Sequence, residues 1–584
     1  MSQFYDGLNS PRFTRAAVLV GFALLFMFHL FPIGLSDLYW HLNTGRWIWE
    51  HHALPSNDPF TYTLSGVLDG RQRLILQGYW LAQLLFFVVH AIFGMWGLVI
   101  LKAALFFTLY WLVWRSLLRV GVYPLLALIA ILILPWLLYR YDELRPQIFS
   151  FLGVVLVYSN LSRSLDALRD GVMKPIALIS LPLIMLVWAN MHPGFILGWV
   201  IIIAMLAGVM INQYRGIHQI SRSALRHLLL WCVLALLASL VNPIVDALIT
   251  NLSAIQHPTE RQIDEYFPLL DYARMYQQPS LFYGVLALGL ITFSGMILRW
   301  QQITFAHAVL FIGFAVAGFY AFRYMIFFVL IALLIGVPHI SALIASRVEK
   351  IKVIVLVLLI SLSGLAYLTY QRGAWKQGAV ETTYVPEQAA NFIHTQKPPA
   401  PLFNAYEYGG YLGWQLASEY RMFIDPRGLN DAAQDEYQIA RGGHYQKAFE
   451  EYGVNSVAFY IFTPVVHSIP EITLYLLMDS QWDLVYVDKI SVVMIRHSQN
   501  TLPVIDKAPL LGYLQRVLEN ALVKAPKNTQ ALVQYGRVLY FRGDVVGAQQ
   551  HFRTALQINP QLRAPRFYLE SIAQRQRRSN GVEQ

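Results

Sequence analysis

The sequence predicts a polytopic α-helical membrane protein of about 11 spans, followed by a C-terminal α/β domain on the outer face and a short α-helical tail. Composition is the first observation: of 584 residues, 56% are hydrophobic and 13% are Asp, Glu, Lys or Arg, where an ordinary soluble domain carries roughly 25% charge. The second is that apolar stretches of about 18 residues or more, enough to cross the bilayer core, recur through the first 370 positions. The third is a change after residue 370 to mixed sequence with alternating, strand-like runs. A single soluble globular protein, intrinsic disorder and a collagen-like repeat are excluded. The one cysteine, Cys232, permits no intrachain disulfide and no Cys-based metal site.

The first apolar run, about 16–34, follows Arg12 and Arg15 and precedes no small-residue cleavage site. It reads as an uncleaved signal anchor with a cytoplasmic N-terminus. Further spans are expected at about 95–114, 121–139, 146–161, 174–190, 193–212, 227–248, 280–298, 303–320, 324–342 and 352–370. The shorter apolar segment 79–93 is laid along the membrane surface, because counting it as a span would put Arg115/Arg119 and Arg163/Arg169/Lys174 outside. With that choice the loops sort by charge. The cytoplasmic ones also hold Arg215, Arg222, Arg226, Arg299, Arg347, Lys350 and Lys352, while acids such as Asp37, Asp142, Glu143, Asp264 and Glu265 collect outside and Lys102 is left within a span. The net charge of +10 is therefore an orientation signal rather than a nucleic-acid-binding surface. The chain is expected in the cytoplasmic (inner) membrane, with its C-terminal domains on the outer face.

Residues 1–370 are read as the membrane domain and 371–509 as the α/β domain, with strand-like runs SVAFYIF (456–462) and WDLVYVDKISVVMI (482–495). Residues 510–584 form the tail. There Leu532, Tyr535, Gly536, Leu539, Gly543, Ala548, Phe552, Ala555 and Pro560 stand at a spacing that packs two short helices closely, with Gly536 and Ala548 small at the crossing and Phe552 filling the gap. The stretch resembles one tetratricopeptide repeat. Upstream, Leu518, Ala521 and Pro526 fit the second half of a preceding repeat, and 563–575 a capping helix. The resemblance implies a surface for a protein partner; the other reading is that the tail braces the domain before it.

The outer loop after the first span, SDLYWHLNTGRWIWEHHALPSNDPFTYTLSG (36–66), is rich in His, Trp, Asp and Arg. Ionisable groups where a span leaves the bilayer point to a functional site. Asp37 can take a proton, hold a divalent metal or orient a nucleophile, and His41 follows one helical turn later on the same face. Either can instead be a helix cap or an interfacial residue. The second outer loop, RYDELRPQ (140–147), sets Asp142 and Glu143 beside Arg140 and Arg145, either as site carboxylates or as salt-bridge partners. Such a carboxylate paired with Asp37, Glu143 in particular, suits Mg²⁺ or Mn²⁺, because hard oxygen ligands suit hard cations. Arg323, in AFRYM (321–325), and Arg145 are placed to hold a lipid phosphate by charge-assisted contacts, and Arg323 can instead be a snorkelling anchor. The NMHPG turn (190–194) brings His192 to the same side, where a lone histidine is more often a satisfied interfacial residue than a member of a site. No P-loop, dinucleotide fingerprint, H-E-x-x-H or G-x-S-x-G motif is present.

An acidic residue just after the first span, followed by D-x-x-x-H-L…G…L-P-x-x-D-P-F, resembles the first outer loop of oligosaccharyltransferase catalytic subunits and, more broadly, the GT-C superfamily of membrane glycosyltransferases. The segment 79–94, ending in Phe-Gly before the second span, is similar to the surface helix of aminoarabinose transferases and protein O-mannosyltransferases. The resemblance implies transfer of a sugar or oligosaccharide from a polyprenyl-phosphate-linked donor to a protein or glycan acceptor, with Asp37, His41, Asp142 and Glu143 catalytic and Arg323 at the donor phosphate. Within FNAYEYGGYLGWQLASEYRMFIDPRGLN (403–430), Ala405-Tyr406-Glu407-Tyr408-Gly409 resembles the W-W-D-Y-G motif, although both tryptophans are replaced and Glu stands for Asp. It implies acceptor contacts from Tyr406, Glu407 and Tyr408, with Asp425 and Arg427 as further contacts or as a structural ion pair. The loop 249–279, with Arg261, Asp264, Glu265 and Arg274, resembles the loop that closes over substrate in such enzymes. A secondary transporter would place charges near the bilayer midplane. A non-catalytic scaffold recruiting envelope proteins would tolerate loss of Asp37.

Overall fold

Inside hydrocarbon an apolar run can satisfy its own backbone polar groups only by closing into a helix or a barrel. In the computed structural model the apolar runs among the described residues are helical. The described residues are 11–34, 36–169, 178–216, 220–251, 264–344, 354–355, 358–361, 363–364, 367, 378–380, 385–417, 419–462 and 469–581. Lys174, Arg261, Arg347, Lys350, Lys352 and most of the expected span 352–370 lie outside them. The chain divides into two compact units, one of Met1–Asn57 with Val67–Glu381, the other of Asp58–Gly66 with Thr382–Gln584. The tail falls in the same compact unit as the α/β domain, and so does part of the first long loop, 58–66.

The first unit holds α1 (Pro11–Phe28), α2 (Ser36–His51), α3 (Gly70–Gln77), α4 (Trp80–Arg119), α5 (Pro124–Leu132, carried on by Leu134–Leu138), α6 (Ile148–Arg169), α7 (Ser180–Met191), α8 (Ile196–Tyr214), α9 (Arg222–Ser239), α10 (Pro279–Leu298), α11 (Phe305–Tyr320) and α12 (Met325–Ile344). Among the described residues eight helical stretches are long and apolar enough to cross a membrane by length and composition: Pro11–Phe28, Gly70–Arg119, Pro124–Tyr141, Ile148–Leu168, Pro193–Tyr214, Arg222–Ser239, Pro279–Leu298 and Phe322–Leu343. α7 and α11 are apolar but shorter. The chain is a helical membrane protein at this level of description. α2 packs on α4, α7 on α9, and α10 and α11 on α12. One continuous apolar core, including Phe106, Leu128, Val155, Phe322 and Ile331, runs through these helices.

Two glycines shape the part that carries polar residues. α4 is broken at Gly94 (φ 62°, ψ −161°), which separates 80–93 from the apolar length beyond it, where the sequence reading had ended the segment. That backbone conformation is open only to glycine. At Gly45 a Cβ would stand 2.2 Å from the Gln83 carbonyl oxygen, so the closeness of α2 to α4 depends on its absence.

In the second unit β1 (Leu402–Asn404), β2 (Ser456–Tyr460), β3 (Trp482–Val487) and β4 (Ser491–Arg496) form a sheet of order β1-β2-β4-β3. β1 and β2 are parallel, with Leu402 opposite Ser456, and the other pairs antiparallel. The strands are buried almost throughout, so their sequence is nearly continuous apolar rather than alternating. Around them lie α13 (Glu387–Gln396), α14 (Asp431–Arg441) and α15 (Glu471–Met478), then the tail helices α16 (Ala508–Lys524), α17 (Thr529–Phe541), α18 (Val545–Ile558) and α19 (Arg563–Gly581). The tail packs as its spacing predicts. Ala548 and Phe552 are fully buried, and a Cβ at Gly536 would sit 2.7 Å from the Phe552 ring. α17 also packs on α15, where Arg537 pairs with Glu471 and the Tyr475 and Phe541 rings lie 4.9 Å apart.

Candidate active site

Three short segments of the first unit meet. The turn leaving α5 holds residues 139–147, a 3₁₀ turn at Asp264–Tyr266 precedes Leu269–Met275, and Phe322–Tyr324 leads into α12. They are pinned by Tyr141, whose hydroxyl donates to the Phe322 carbonyl at 2.5 Å, and by stacking of Phe322 between Tyr141 (4.9 Å) and Tyr272 (3.7 Å). Phe322 N–H also donates to the Phe267 carbonyl at 2.9 Å.

On this support Arg145 gathers three carboxylates. Its Nη2 is 3.1 Å from Asp37 Oδ2, its Nε 2.8 Å from Glu143 Oε2, and its Nη1 donates to Glu265 Oε1 at 2.8 Å. Asp37 lies in the first turn of α2, where a helix favours an acid. Three carboxylates round one guanidinium leave an excess of negative charge. Burial, with Asp37 and Glu265 alongside, outweighs Arg145 and lifts the Glu143 carboxyl to about 7. Glu265 is the opposite case: burial works against its charge, but Arg145 and Arg323 hold its carboxyl below the usual range. A cavity of about 10 Å³ beside Glu143, Arg145 and Glu265 has room for one water.

His41, one turn beyond Asp37 and 3% exposed, lies against α4 with Nδ1 3.3 Å from Gln83 Nε2 and its ring 5.5 Å from Tyr79. Burial first, then the charges of Arg145 and His192, put its imidazole well below the ordinary value, so it is neutral at pH 7. His192 lies on the other side of Tyr79, 5.4 Å ring to ring. Its Nδ1 accepts from Gly194 N–H at 2.8 Å and lies 2.7 Å from Ser150 Oγ, which leaves the proton on Nε2. Burial and then Arg323 lower its pKa to about 3. Arg323 donates to the Tyr266 hydroxyl at 2.9 Å and stands 5.1 Å over that ring. Asp37, His41, Glu143, Arg145, His192 and Arg323 thus belong to one neighbourhood.

Asp142 requires a correction. Its carboxylate is not offered to the cluster but lies 2.7 Å from His29 Nδ1 and 3.4 Å from Lys102 Nζ, while His29 Nε2 is 2.7 Å from the Tyr110 hydroxyl. Lys102 and His29 are 2% and 1% exposed. Burial opposes ionisation of Asp142, but Lys102 and His29 outweigh it and hold its carboxyl at about 2. Asp142 is the buried counter-ion that lets Lys102 lie in an apolar helix. Arg145 is corrected as well: with three carboxylates on it, it is not a free phosphate ligand. As Arg145 stands between them, Asp37 and Glu143 do not fit a divalent ion. No group of three or more His, Cys, Asp or Glu able to hold a metal occurs among the described residues.

The second unit holds the remaining residues. Asp425 and Arg427 form the ion pair rather than an acceptor contact. Arg427, its side chain fully buried, takes Asp425 through Nε (2.9 and 2.8 Å) and Asp58 through Nη1 (2.8 Å) and Nη2 (3.1 Å). Tyr408 is core, 1% exposed, with its hydroxyl on the Ile490 carbonyl at 3.1 Å. Tyr406 donates to the Pro426 carbonyl at 3.1 Å, and Glu407, half-buried, accepts from Tyr460 at 2.6 Å. Among residues the sequence reading left out of the site, Glu265 and Tyr266 stood in the 249–279 loop with no spacing to link them to Arg145, and Tyr79 was absorbed in an apolar run.

No family model matches the sequence, and no curated protein matches it.

Proposed function

We propose that the Arg145 cluster is the catalytic site of an inverting glycosyl transfer, moving a sugar or oligosaccharide from a polyprenyl-phosphate-linked donor to a protein or glycan acceptor on the outer face of the membrane. The observation that supports it is the convergence of Asp37, from the first loop, and Glu143, from the second, on one guanidinium, with Arg323 in the same neighbourhood. In the reaction the acceptor's nucleophilic atom bonds to the anomeric carbon as the bond from that carbon to the phosphate oxygen breaks. A carboxylate, Asp37 or Glu143, takes the acceptor proton. Arg323 meets the charge left on the phosphate. The resemblance to GT-C enzymes agrees with this division of roles, and the tail, resembling a tetratricopeptide repeat, would serve a protein partner.

The test is complementation with mass analysis of the glycan, wild type against Asp37→Asn at matched protein level. Transfer is expected to fall by about 10²-fold or more, the usual share of a catalytic acid or base. Unchanged glycosylation would sink the enzyme reading in favour of a scaffold. A chelator arm addresses Mg²⁺ or Mn²⁺: loss of transfer restored by Mn²⁺ would require Arg145 to leave Asp37 and Glu143 during turnover.

A further inference from the structure

The helical unit has a second polar site, at the other end of its helices. α5 runs from Pro124 to the turn carrying Glu143 and Arg145, and α12 begins beside Arg323. Their far ends, Tyr123–Leu126 and Pro338–Ala342, line a cleft of about 840 Å³ together with the α4–α5 turn at Leu118–Tyr123 and with Arg299 and Gln302 beyond α10. None of its lining residues is acidic.

Two groups in this cleft ask for an anion. The Arg299 side chain has no carboxylate partner and no hydrogen bond among the described residues. His339, 7% exposed, has a buried Nδ1 that meets no hydrogen-bond partner. An imidazole nitrogen shut away from water without a partner is costly unless a ligand completes it. Exposed Arg115 and Arg119, in the last turns of α4, add to the positive field at this end.

Gln302 and Ser341 also line it, and most of the remaining wall is apolar, including Leu118, Val122, Leu126 and Ala342. The volume is far more than a bare ion needs and suits a ligand with a polar head and an apolar stem. We propose that this cleft binds a phosphate group, that of an anionic phospholipid headgroup, with Arg299 and His339 as its ligands and the apolar wall against the start of the acyl chains. Basic pockets between membrane helices recognise such headgroups through the same chemistry. Free phosphate offers the same charge without the stem.

Native mass spectrometry of the purified full-length protein, with phosphatidylglycerol or phosphatidylcholine added to the detergent, tests the assignment and needs no activity. The wild type should retain one phosphatidylglycerol in preference to phosphatidylcholine. Arg299→Gln should weaken that preference by about fivefold, the scale of one lost cationic contact near a headgroup, His339→Gln by a similar factor, the scale of one lost hydrogen bond, and Arg299→Lys should keep most of it. Melting curves check that each variant is folded, and His339→Gln carries the test if Arg299→Gln is not. Stabilisation of the wild type but not of Arg299→Gln by inorganic phosphate, without lipid preference, would support the site with a soluble ligand as its source. Equal retention of the two lipids with no phosphate effect would overturn the proposal, as would variants that hold phosphatidylglycerol as the wild type does.

Discussion

Lys102 is the residue whose presence looks least favourable and whose environment explains it best. A lysine in an apolar helix is tolerated where a carboxylate meets it, and Asp142 does so from a loop, 3.4 Å away and itself held by His29 at 2.7 Å. Removing one partner of a buried pair leaves the other uncompensated, so Lys102→Met is expected to cost about 3–5 kcal/mol. In detergent thermal-unfolding measurements, Lys102→Met with Asp142→Asn should cost less than the sum of the two. Because the Asp142 carboxyl is depressed to about 2, its contribution is full above its ordinary range and lost as pH falls through that value. Glu143 titrates in the other direction. Raised to about 7, it is favoured by the fold in its protonated form, so its presence lowers stability progressively as pH rises from its ordinary range to about 7, with no further loss above. If it takes the acceptor proton, the pH–rate profile should rise to a plateau with a midpoint near 7. Glu143→Gln should abolish that limb, and a wild-type profile flat across it would remove Glu143 from the role.

Among the elements, α2 and α4 decide whether those residues meet. The Gly94 backbone (φ 62°, ψ −161°) lies where other residues pay of order 1–3 kcal/mol in strain. Gly94→Ala should therefore lower the thermal midpoint, whereas Gly313→Ala, at a position in α11 with nothing within 4 Å of the added Cβ, should leave it almost unchanged. Much at this scale was legible in the sequence. Phe93-Gly94 marked the break in α4, the apolar runs marked the helices, and Gly536, Ala548 and Phe552 marked the tail crossing. The site was legible in part: Asp37, Glu143 and Arg323 stand out as charges at helix ends. Which neighbour turns its carboxylate where was not legible. Asp142 and Glu143 are adjacent, yet one lies against Lys102 and the other on Arg145, and only the packing of α1 and α4 against the loop decides it. The partnership of Asp58 with Arg427 was hidden for a similar reason, being 369 positions apart in the chain.

For the whole molecule the charge pattern of the loops makes a prediction about sidedness. Val546 is 77% exposed and Cys232, the one native cysteine, is buried. Val546→Cys should react with a membrane-impermeant maleimide added to intact cells freed of their outer barrier, and labelling only after the cytoplasmic side is opened would reverse the topology. The membership of Asp58–Gly66 in the second unit bears on how the protein can be made. Thr61 bridges to Met422, and Asp58 supplies one of the two carboxylates on a side chain of Arg427 that has no exposure. A fragment of residues 382–584 is therefore expected to aggregate, and fusing 58–66 to it should recover a monodisperse, folded species by size exclusion and circular dichroism. During synthesis, Asp58 emerges 369 residues before its partner. The later part of the second unit, 382–584, holds the Arg427 side chain but not the Asp58 carboxylate that pairs with it. It closes on a segment made long before it, so the order of assembly is written into a loop that looks like a connector.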